Sequence, residues 1–222
     1  MRWCAVAATV ALLAAPASTH AAPSDGALVG AGLAMAPPTY VLGVATHEGT
    51  HALAAKLMGA EVTRMTLWPG RDPRTGAFHF GQTGIRGLRG EGRLAAFLIA
   101  PKVVDLALLG GFAALLYAGG GPGDGAAWPG NHYGQLALTV LATGWWVDFA
   151  KDVLSFSPHN DAVRVMTMAG LTTELRRLPA RLVYLAADVG LGLLVWQGYR
   201  RVFAGDATTP AGFTLPLASV AF

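Results

Sequence analysis

The sequence predicts an all-α membrane bundle of about four to five transmembrane helices, with a small β-hairpin or sheet inserted after a helix that carries an H-E-x-x-H motif. The chain is 53% hydrophobic and only 13% charged, whereas soluble proteins have roughly 25% charged residues. Long apolar segments alternate with short polar ones, and a segment with period-two alternation follows the motif. One bundle of this kind uses up a chain of 222 residues.

The charge composition argues against a nucleic-acid-binding protein. The formal net charge is +3, and the basic residues are scattered between apolar segments, without a basic run or interleaved aromatics. They are better explained as determinants of membrane topology. The single cysteine, Cys4, excludes an intramolecular disulfide and a cysteine-based metal site.

The N-terminal segment, residues 1–22, has one arginine, an apolar stretch and then small residues. This pattern is typical of a secretory signal peptide, and a retained first transmembrane segment explains it equally well. We therefore divide the chain into this segment, a membrane-embedded domain over residues 23–204 and a C-terminal tail over residues 205–222.

The motif His47-Glu48-Gly49-Thr50-His51 lies in a predicted helix of about 20 residues that begins after Pro37-Pro38 and ends at Gly59. Residues four apart share one helical face, so His47 and His51 can bind a single ion. Glu48 can then reach a water held by that ion. The alternative is a pair of buried, hydrogen-bonded histidines without a metal, which would leave Glu48 as a buried carboxylate with no evident cation.

The region after the motif helix, residues 61–87, alternates polar and apolar residues and predicts a small sheet or hairpin. His79 falls in its second strand and is predicted to be structural or exposed. The next apolar helix, residues 93–118, contains Lys102 and Asp105, which are three apart and predicted to form an internal ion pair.

Two further spans are predicted over residues 133–151 and 180–199. Between them, Ser157-Pro158 predicts a helix start, because serine is a good N-cap and proline suits the first helical position. Asn160 and Asp161 would then lie in the first turn of this helix.

The distribution of arginine predicts an orientation. Residues 60–93 and 151–181 contain many basic residues, whereas the glycine-rich loop over residues 119–132 has none. The positive-inside rule places the two basic regions on the cytoplasmic side. We therefore expect an integral membrane protein, in a bacterial-type inner (plasma) membrane, with its site toward the cytoplasm.

A catalytic zinc site requires a third protein ligand in addition to His47 and His51. The candidates on the correct side are Asp148, Asp152, His159 and Asp161. The first two are predicted to form an interfacial charged face of their helix. Asp161 is favoured because a helix N-terminus stabilises a carboxylate, with Asn160 as a hydrogen-bond donor to ligand or substrate.

The segment HEGTHALAAKLMGAEVTRMTLWPG resembles the site-2 protease family of intramembrane zinc metalloproteases. That family has H-E-x-x-H in a membrane helix, followed by a small strand region. Its second motif carries an Asp ligand after a turn containing Asn and Pro, and SFSPHNDAVR is similar to it. Ala100-Pro101 and Asp105 stand where the family often has Gly-Pro and then Asn.

This resemblance implies that His47, His51 and Asp161 bind zinc and that Glu48 is the general base. The family's second motif has Gly after the Asp, whereas Ala162 follows Asp161 here. The resemblance covers roughly residues 39–165.

The leading hypothesis is a membrane-embedded zinc metalloendopeptidase that hydrolyses peptide bonds of membrane-associated proteins through a metal-activated water. Its partners would be the lipid bilayer and a membrane protein or peptide substrate, which residues 61–87 could bind by edge addition. A non-catalytic metal-binding or scaffold membrane protein that keeps the motif helix is the alternative. A third hypothesis is a zinc-dependent hydrolase of lipids or other small amphiphiles.

Overall fold

The computed structural model describes residues 23–72, 76, 78–118, 128–129 and 131–203, and these form five helices and four short strands. The predicted signal or anchor segment and the predicted C-terminal tail lie outside the described residues. Most of the glycine-rich loop also lies outside them. The mostly helical fold, with a small sheet after the motif helix, is confirmed.

Helix α1 spans Asp25–Leu57 and is longer than predicted. Ser24 caps its start, with Oγ accepting a hydrogen bond from the Ala27 amide. The predicted helix start after Pro37-Pro38 is wrong, because both prolines lie inside the helix. Prolines are tolerated in membrane helices where other groups satisfy the freed carbonyls. The predicted end is confirmed, since Gly59 follows the helix with a φ of 78°.

The strand region is a ribbon of two antiparallel pairs, one nested inside the other. The outer strands are β1 (Glu61–Thr66) and β4 (Gln82–Arg86), and the inner strands are β2 (Gly70–Arg71) and β3 (Phe78–His79). The outer register runs from Glu61 opposite Arg86 to Thr66 opposite Gln82. The ribbon packs against α1, as expected for residues 61–87.

Four helices make up the rest of the bundle. They are α2 (Glu91–Ala118), α3 (His132–Ala150), α4 (Asp161–Met168) and α5 (Glu174–Phe203). The predicted start of α4 at Ser157-Pro158 is wrong, because Asn160 is the N-cap and its side chain accepts from the Val163 amide at 3.2 Å. Ser157 Oγ instead accepts from the His159 amide two residues on, which closes a separate turn.

Three of the described helices are long and apolar enough to cross a membrane, namely α1, α2 and α5. The prediction of four to five spans stays a prediction, because residues 1–22 lie outside the described part of the chain. Helix α4 has only 8 residues. Helix α3 has 19 residues, and it packs against all three of the long helices. It is therefore surrounded by protein, where a helix need not be as apolar as one that faces lipid.

Two clusters of buried apolar side chains lie where α3 packs against the long helices. One buried cluster joins Leu109, Phe112, Ala142 and Val195 from α2, α3 and α5. A second buried cluster joins α1, α3 and α5. By contrast, large apolar side chains on the outer faces of α1 and α5 are exposed, which is typical of helices that contact lipid.

We predict that Gly198→Ala destabilises the bundle. A Cβ at Gly198 would lie 2.7 Å from Phe112 and 3.0 Å from Thr139, where α2, α3 and α5 meet. Overpacking of this kind costs about 1–3 kcal/mol. The midpoint of thermal unfolding in detergent should therefore fall.

Gly190→Ala is the matched control. Gly190 lies on the same helix, and a Cβ there would meet nothing within 4 Å. Alanine is favoured over glycine in a helix by about 1 kcal/mol, so this variant should unfold at the wild-type temperature or above. Equal unfolding midpoints for the two variants would contradict the packing described.

Candidate metal centre

Helix α1 presents His47 and His51 one turn apart on one face, as the motif spacing predicts. The centroids of the two rings are 4.9 Å apart, and the rings lie edge to face. His51 is buried, with 5% of its surface exposed, and its ring also lies against Phe97 of α2. The two imidazoles are therefore held between helices rather than at the surface.

The Nδ1 atom of each histidine has a protein partner. His47 Nδ1 lies 2.8 Å from Asp148 Oδ2 on α3, and His51 Nδ1 lies 2.9 Å from the carbonyl oxygen of Phe97 on α2. Both partners are acceptors, so in a neutral ring they favour the tautomer with the proton on Nδ1. This leaves Nε2 as the lone-pair atom, and hydrogen bonds of this kind orient histidines that bind metals.

Asp161 brings the third group to the same point. Its Oδ2 lies 3.0 Å from His51 Nε2 and 3.8 Å from His47 Nε2. Ligand atoms on a tetrahedral zinc lie about 3.3 Å apart, given zinc–ligand bonds of about 2.0–2.2 Å. The observed distances lie on either side of this value, so the three groups can hold a metal ion. Of the four candidates for the third ligand, Asp161 is the one that joins the two histidines.

The carboxylate of Asp161 is held ionised. Burial alone would raise its pKa, but the neighbouring His47 and His51 imidazoles, which attract the carboxylate when they are protonated, outweigh burial and hold the pKa well below its usual range. Asp161 is also the first residue of α4, where the helix dipole favours a negative charge. An ionised carboxylate is the form that binds a metal.

The remaining candidates are not part of the group of three. The prediction that Asp148 and Asp152 form an interfacial charged face is wrong, because both side chains turn inward and Asp152 is only 2% exposed. Asp152 Oδ1 accepts from the side-chain amide of Asn160 at 2.7 Å. His159 is exposed in the turn before α4, and His79 lies in the inner hairpin and is not a member of the group.

Asn160 uses both ends of its amide within the protein. Its Nδ2 donates to Asp152, and its Oδ1 caps α4. These contacts fix the start of the helix that carries Asp161. The predicted contact of Asn160 with substrate stays a prediction.

Glu48 follows His47 in the chain and is buried, with 6% of its surface exposed. Thr83 of β4 donates from Oγ1 to Glu48 Oε2 at 2.7 Å and lies 3.1 Å from the Glu48 carbonyl oxygen. Gly81, just before β4, approaches so closely that a Cβ there would lie 2.8 Å from Glu48 Cγ. The ribbon therefore covers Glu48 and fixes one of its carboxylate oxygens.

The groups linked to the centre carry an excess of negative charge. A connected set of ion pairs extends from the two histidines. It contains four carboxylates and two ammonium groups, those of Asp105, Asp148, Asp152, Asp161, Lys102 and Lys151. Glu48, next to His47 in the chain, adds a further carboxylate. When these groups are ionised, a divalent cation between the histidines offsets most of the excess.

Sequence reasoning missed the roles of Asp148 and Thr83. An ionisable residue within a largely apolar helix usually faces the protein interior, so the position of Asp148 in its segment carried a usable signal. Thr83 carried none, because its contact with Glu48 depends on how the ribbon lies across α1.

Comparison with protein-family models, with characterised proteins and with solved structures finds no match to this chain. The resemblance to site-2 proteases therefore stays a prediction from the two motifs. The spatial meeting of His47, His51 and Asp161 is a finding of the structure.

We predict that the purified protein binds about one divalent metal ion per chain, as expected for a three-ligand site. Asp161→Ala and His47→Ala should each lose the ion, because each removes one of the ligands. Metal content is measured by elemental analysis of detergent-purified protein.

His159→Ala is the control, since His159 was a ligand candidate but lies outside the cluster. It should keep the wild-type metal content. A loss of metal in His159→Ala, with retention in Asp161→Ala, would make His159 the third ligand. That result would contradict the group of His47, His51 and Asp161 as the metal site.

Proposed function

We propose that the chain is a membrane-embedded zinc metalloendopeptidase that hydrolyses peptide bonds of membrane-associated proteins. The observation that carries this proposal is the meeting of two histidines and Asp161, together with a buried Glu48 that follows His47 in the chain. Three protein ligands with a neighbouring carboxylate base are the arrangement used in zinc-assisted hydrolysis.

His47 and His51, through Nε2, and Asp161, through Oδ2, would hold the zinc ion. Imidazole and carboxylate are ligand types that suit zinc. A bound zinc ion supplies a Lewis acid that polarises a carbonyl and lowers the pKa of water. The acceptors on the two Nδ1 atoms keep the rings facing this point.

Glu48 is the proposed general base. It takes a proton from the attacking water and passes it to the nitrogen of the leaving amine as the peptide C–N bond breaks. Thr83 holds Oε2, while Oε1 lies beside Gly81. A carboxylate fixed in this way loses little freedom when the reaction begins.

The ribbon supports a peptide rather than a lipid as substrate. Among the described strands, β4 pairs with β1 alone, and the chain enters β4 at Gly81 against Glu48. A peptide in extended form can add to the free edge of such a strand. Because helical peptides hide their carbonyls in hydrogen bonds, a transmembrane substrate would unwind locally to bind here.

The proposed orientation places the centre toward the cytoplasm. Arginines are concentrated in two regions of the chain, the ribbon with its connection to α2 and the start of α5. The positive-inside rule supports a cytoplasmic location for both regions. The three long apolar helices would anchor the protein in an inner (plasma) membrane of bacterial type.

We predict that Glu48→Gln abolishes cleavage and leaves metal binding intact. Loss of a general base lowers the rate by about 10²–10⁴-fold, whereas the glutamine amide can still accept the Thr83 hydrogen bond. Cleavage of an unstructured peptide in detergent, followed by mass spectrometry, measures the rate beside metal content.

Full cleavage by Glu48→Gln would overturn the role of Glu48. A wild-type protein that binds metal and cleaves no peptide, in detergent or in vesicles, would favour the metal-binding scaffold instead.

We predict that Gly81→Ala slows cleavage without removing the metal. Its Cβ would lie 2.6 Å from Val44 and 2.8 Å from Glu48, so the ribbon or Glu48 must shift. A displacement of this size at a catalytic group lowers kcat by about 10–100-fold. The readouts are kcat and metal content.

Gly43→Ala is the control, because a Cβ at Gly43 would meet nothing within 4 Å, although Gly43 precedes Val44 on the same helix. It should cleave at the wild-type rate. Equal rates for both variants would show that the close approach of Gly81 does not matter to the reaction.

A further inference from the structure

We propose that Lys102 is a positioning residue that holds together the two parts of the metal centre, the His47 side and the Asp161 side, through one buried ammonium group. This inference rests on the metal site of the proposed function, and it does not require that the site hydrolyse peptides. Sequence analysis predicted only an ion pair between Lys102 and Asp105, which the structure confirms at 3.5 Å.

Lys102 lies in the middle of α2 and is 3% exposed. Its Nζ contacts three oxygen atoms at the end of α3 and just beyond it: 2.5 Å from the Asp148 carbonyl, 2.8 Å from Asp148 Oδ2 and 3.2 Å from Asp152 Oδ2. In a simple ion pair, the ammonium group contacts a single carboxylate. The three protons of an ammonium group can instead serve several acceptors at once.

One set of contacts leads to His47. The Asp148 oxygen that Lys102 binds, Oδ2, is also the atom that lies 2.8 Å from His47 Nδ1. Lys102 therefore fixes the carboxylate that orients the His47 ring. Through that ring, it fixes the direction of Nε2 toward the metal position.

The other set leads to Asp161. Lys102 forms an ion pair with Oδ2 of Asp152 at 3.2 Å, and Oδ1 of the same carboxylate accepts from Asn160 Nδ2 at 2.7 Å. Asn160 caps α4, whose first residue is Asp161. The start of α4 is therefore tied to the same ammonium group as His47, although it follows an irregular segment after α3.

Lys151 provides a comparison within the molecule. It also forms an ion pair with Asp148, but through Oδ1, and its side chain is 37% exposed. It makes no ion pair with Asp152 among the described residues. Loss of Lys151 therefore removes the same charge from the same carboxylate without touching the connection to α4.

The experiment measures the affinity of the detergent-purified full chain for Zn²⁺ and Co²⁺ by competition with a chelator, together with the visible absorption of the Co²⁺ form. Lys102→Met should weaken metal affinity by about 10–100-fold, the usual effect of losing an outer-shell partner, and should alter the Co²⁺ spectrum. Lys151→Met should weaken it by less than about fivefold, because exposed ion pairs are weak.

Asp152→Asn is the second variant, for the case in which Lys102→Met does not fold. It removes the charge that pairs with Lys102 and keeps an oxygen acceptor for Asn160. It should also weaken metal affinity and alter the Co²⁺ spectrum. Wild-type affinity in folded Lys102→Met or in Asp152→Asn overturns the proposal, as does an equal loss in Lys102→Met and Lys151→Met.

The outcomes separate this inference from the proposed function. Metal binding that depends on Lys102, in a protein that cleaves no peptide, supports the positioning role and rejects the peptidase. Cleavage that persists at wild-type metal affinity in Lys102→Met rejects the positioning role alone. A wild-type chain that binds no metal rejects both.

Discussion

The structure depends on the cost of placing ionisable groups among apolar helices. A buried charge without a partner costs several kcal/mol, about 3–5 when one member of a pair is removed. Asp105, Asp148 and Asp152 accordingly each form an ion pair with Lys102, and Asp148 extends this network to His47. This network joins α1, α2 and α3 by side-chain contacts, so the requirement to pair charges also affects where the candidate metal ligands lie.

Helix α3 contains several polar side chains that need partners inside the bundle. Its polar side chains are satisfied within the bundle: Thr139 and Thr143 donate to backbone carbonyls one turn earlier, and Asp148 binds Lys102 and His47. The three longer helices contact α3 on different sides and keep apolar faces outward. The bundle thus combines lipid-compatible outer helices with an inner helix that can carry ionisable groups.

Sequence reasoning succeeded where the physical cause is local. The spacing of His47 and His51 follows from helical geometry, and the end of α1 follows from a glycine with positive φ. It failed where two local signals compete. Pro37-Pro38 is a helix start in one context and a tolerated interior pair in a membrane helix. Ser157 and Asn160 are comparable N-caps, and the contact of Asn160 with Asp152 favours the later one.

The third candidate ligand, Asp161, is not placed by local sequence spacing as the two histidines are. His47 and His51 are held by the covalent spacing of one long helix, whereas Asp161 reaches them from an eight-residue helix that follows an irregular segment. Side-chain contacts hold that segment: Arg181 donates to the carbonyls of Val153 and Ser155, each at 2.8 Å, and Arg177 donates to Thr167 of α4. An H-E-x-x-H sequence therefore determines two ligands by itself. Whether it becomes a metal centre depends on tertiary contacts that place a third group, and here those contacts are mainly charged ones.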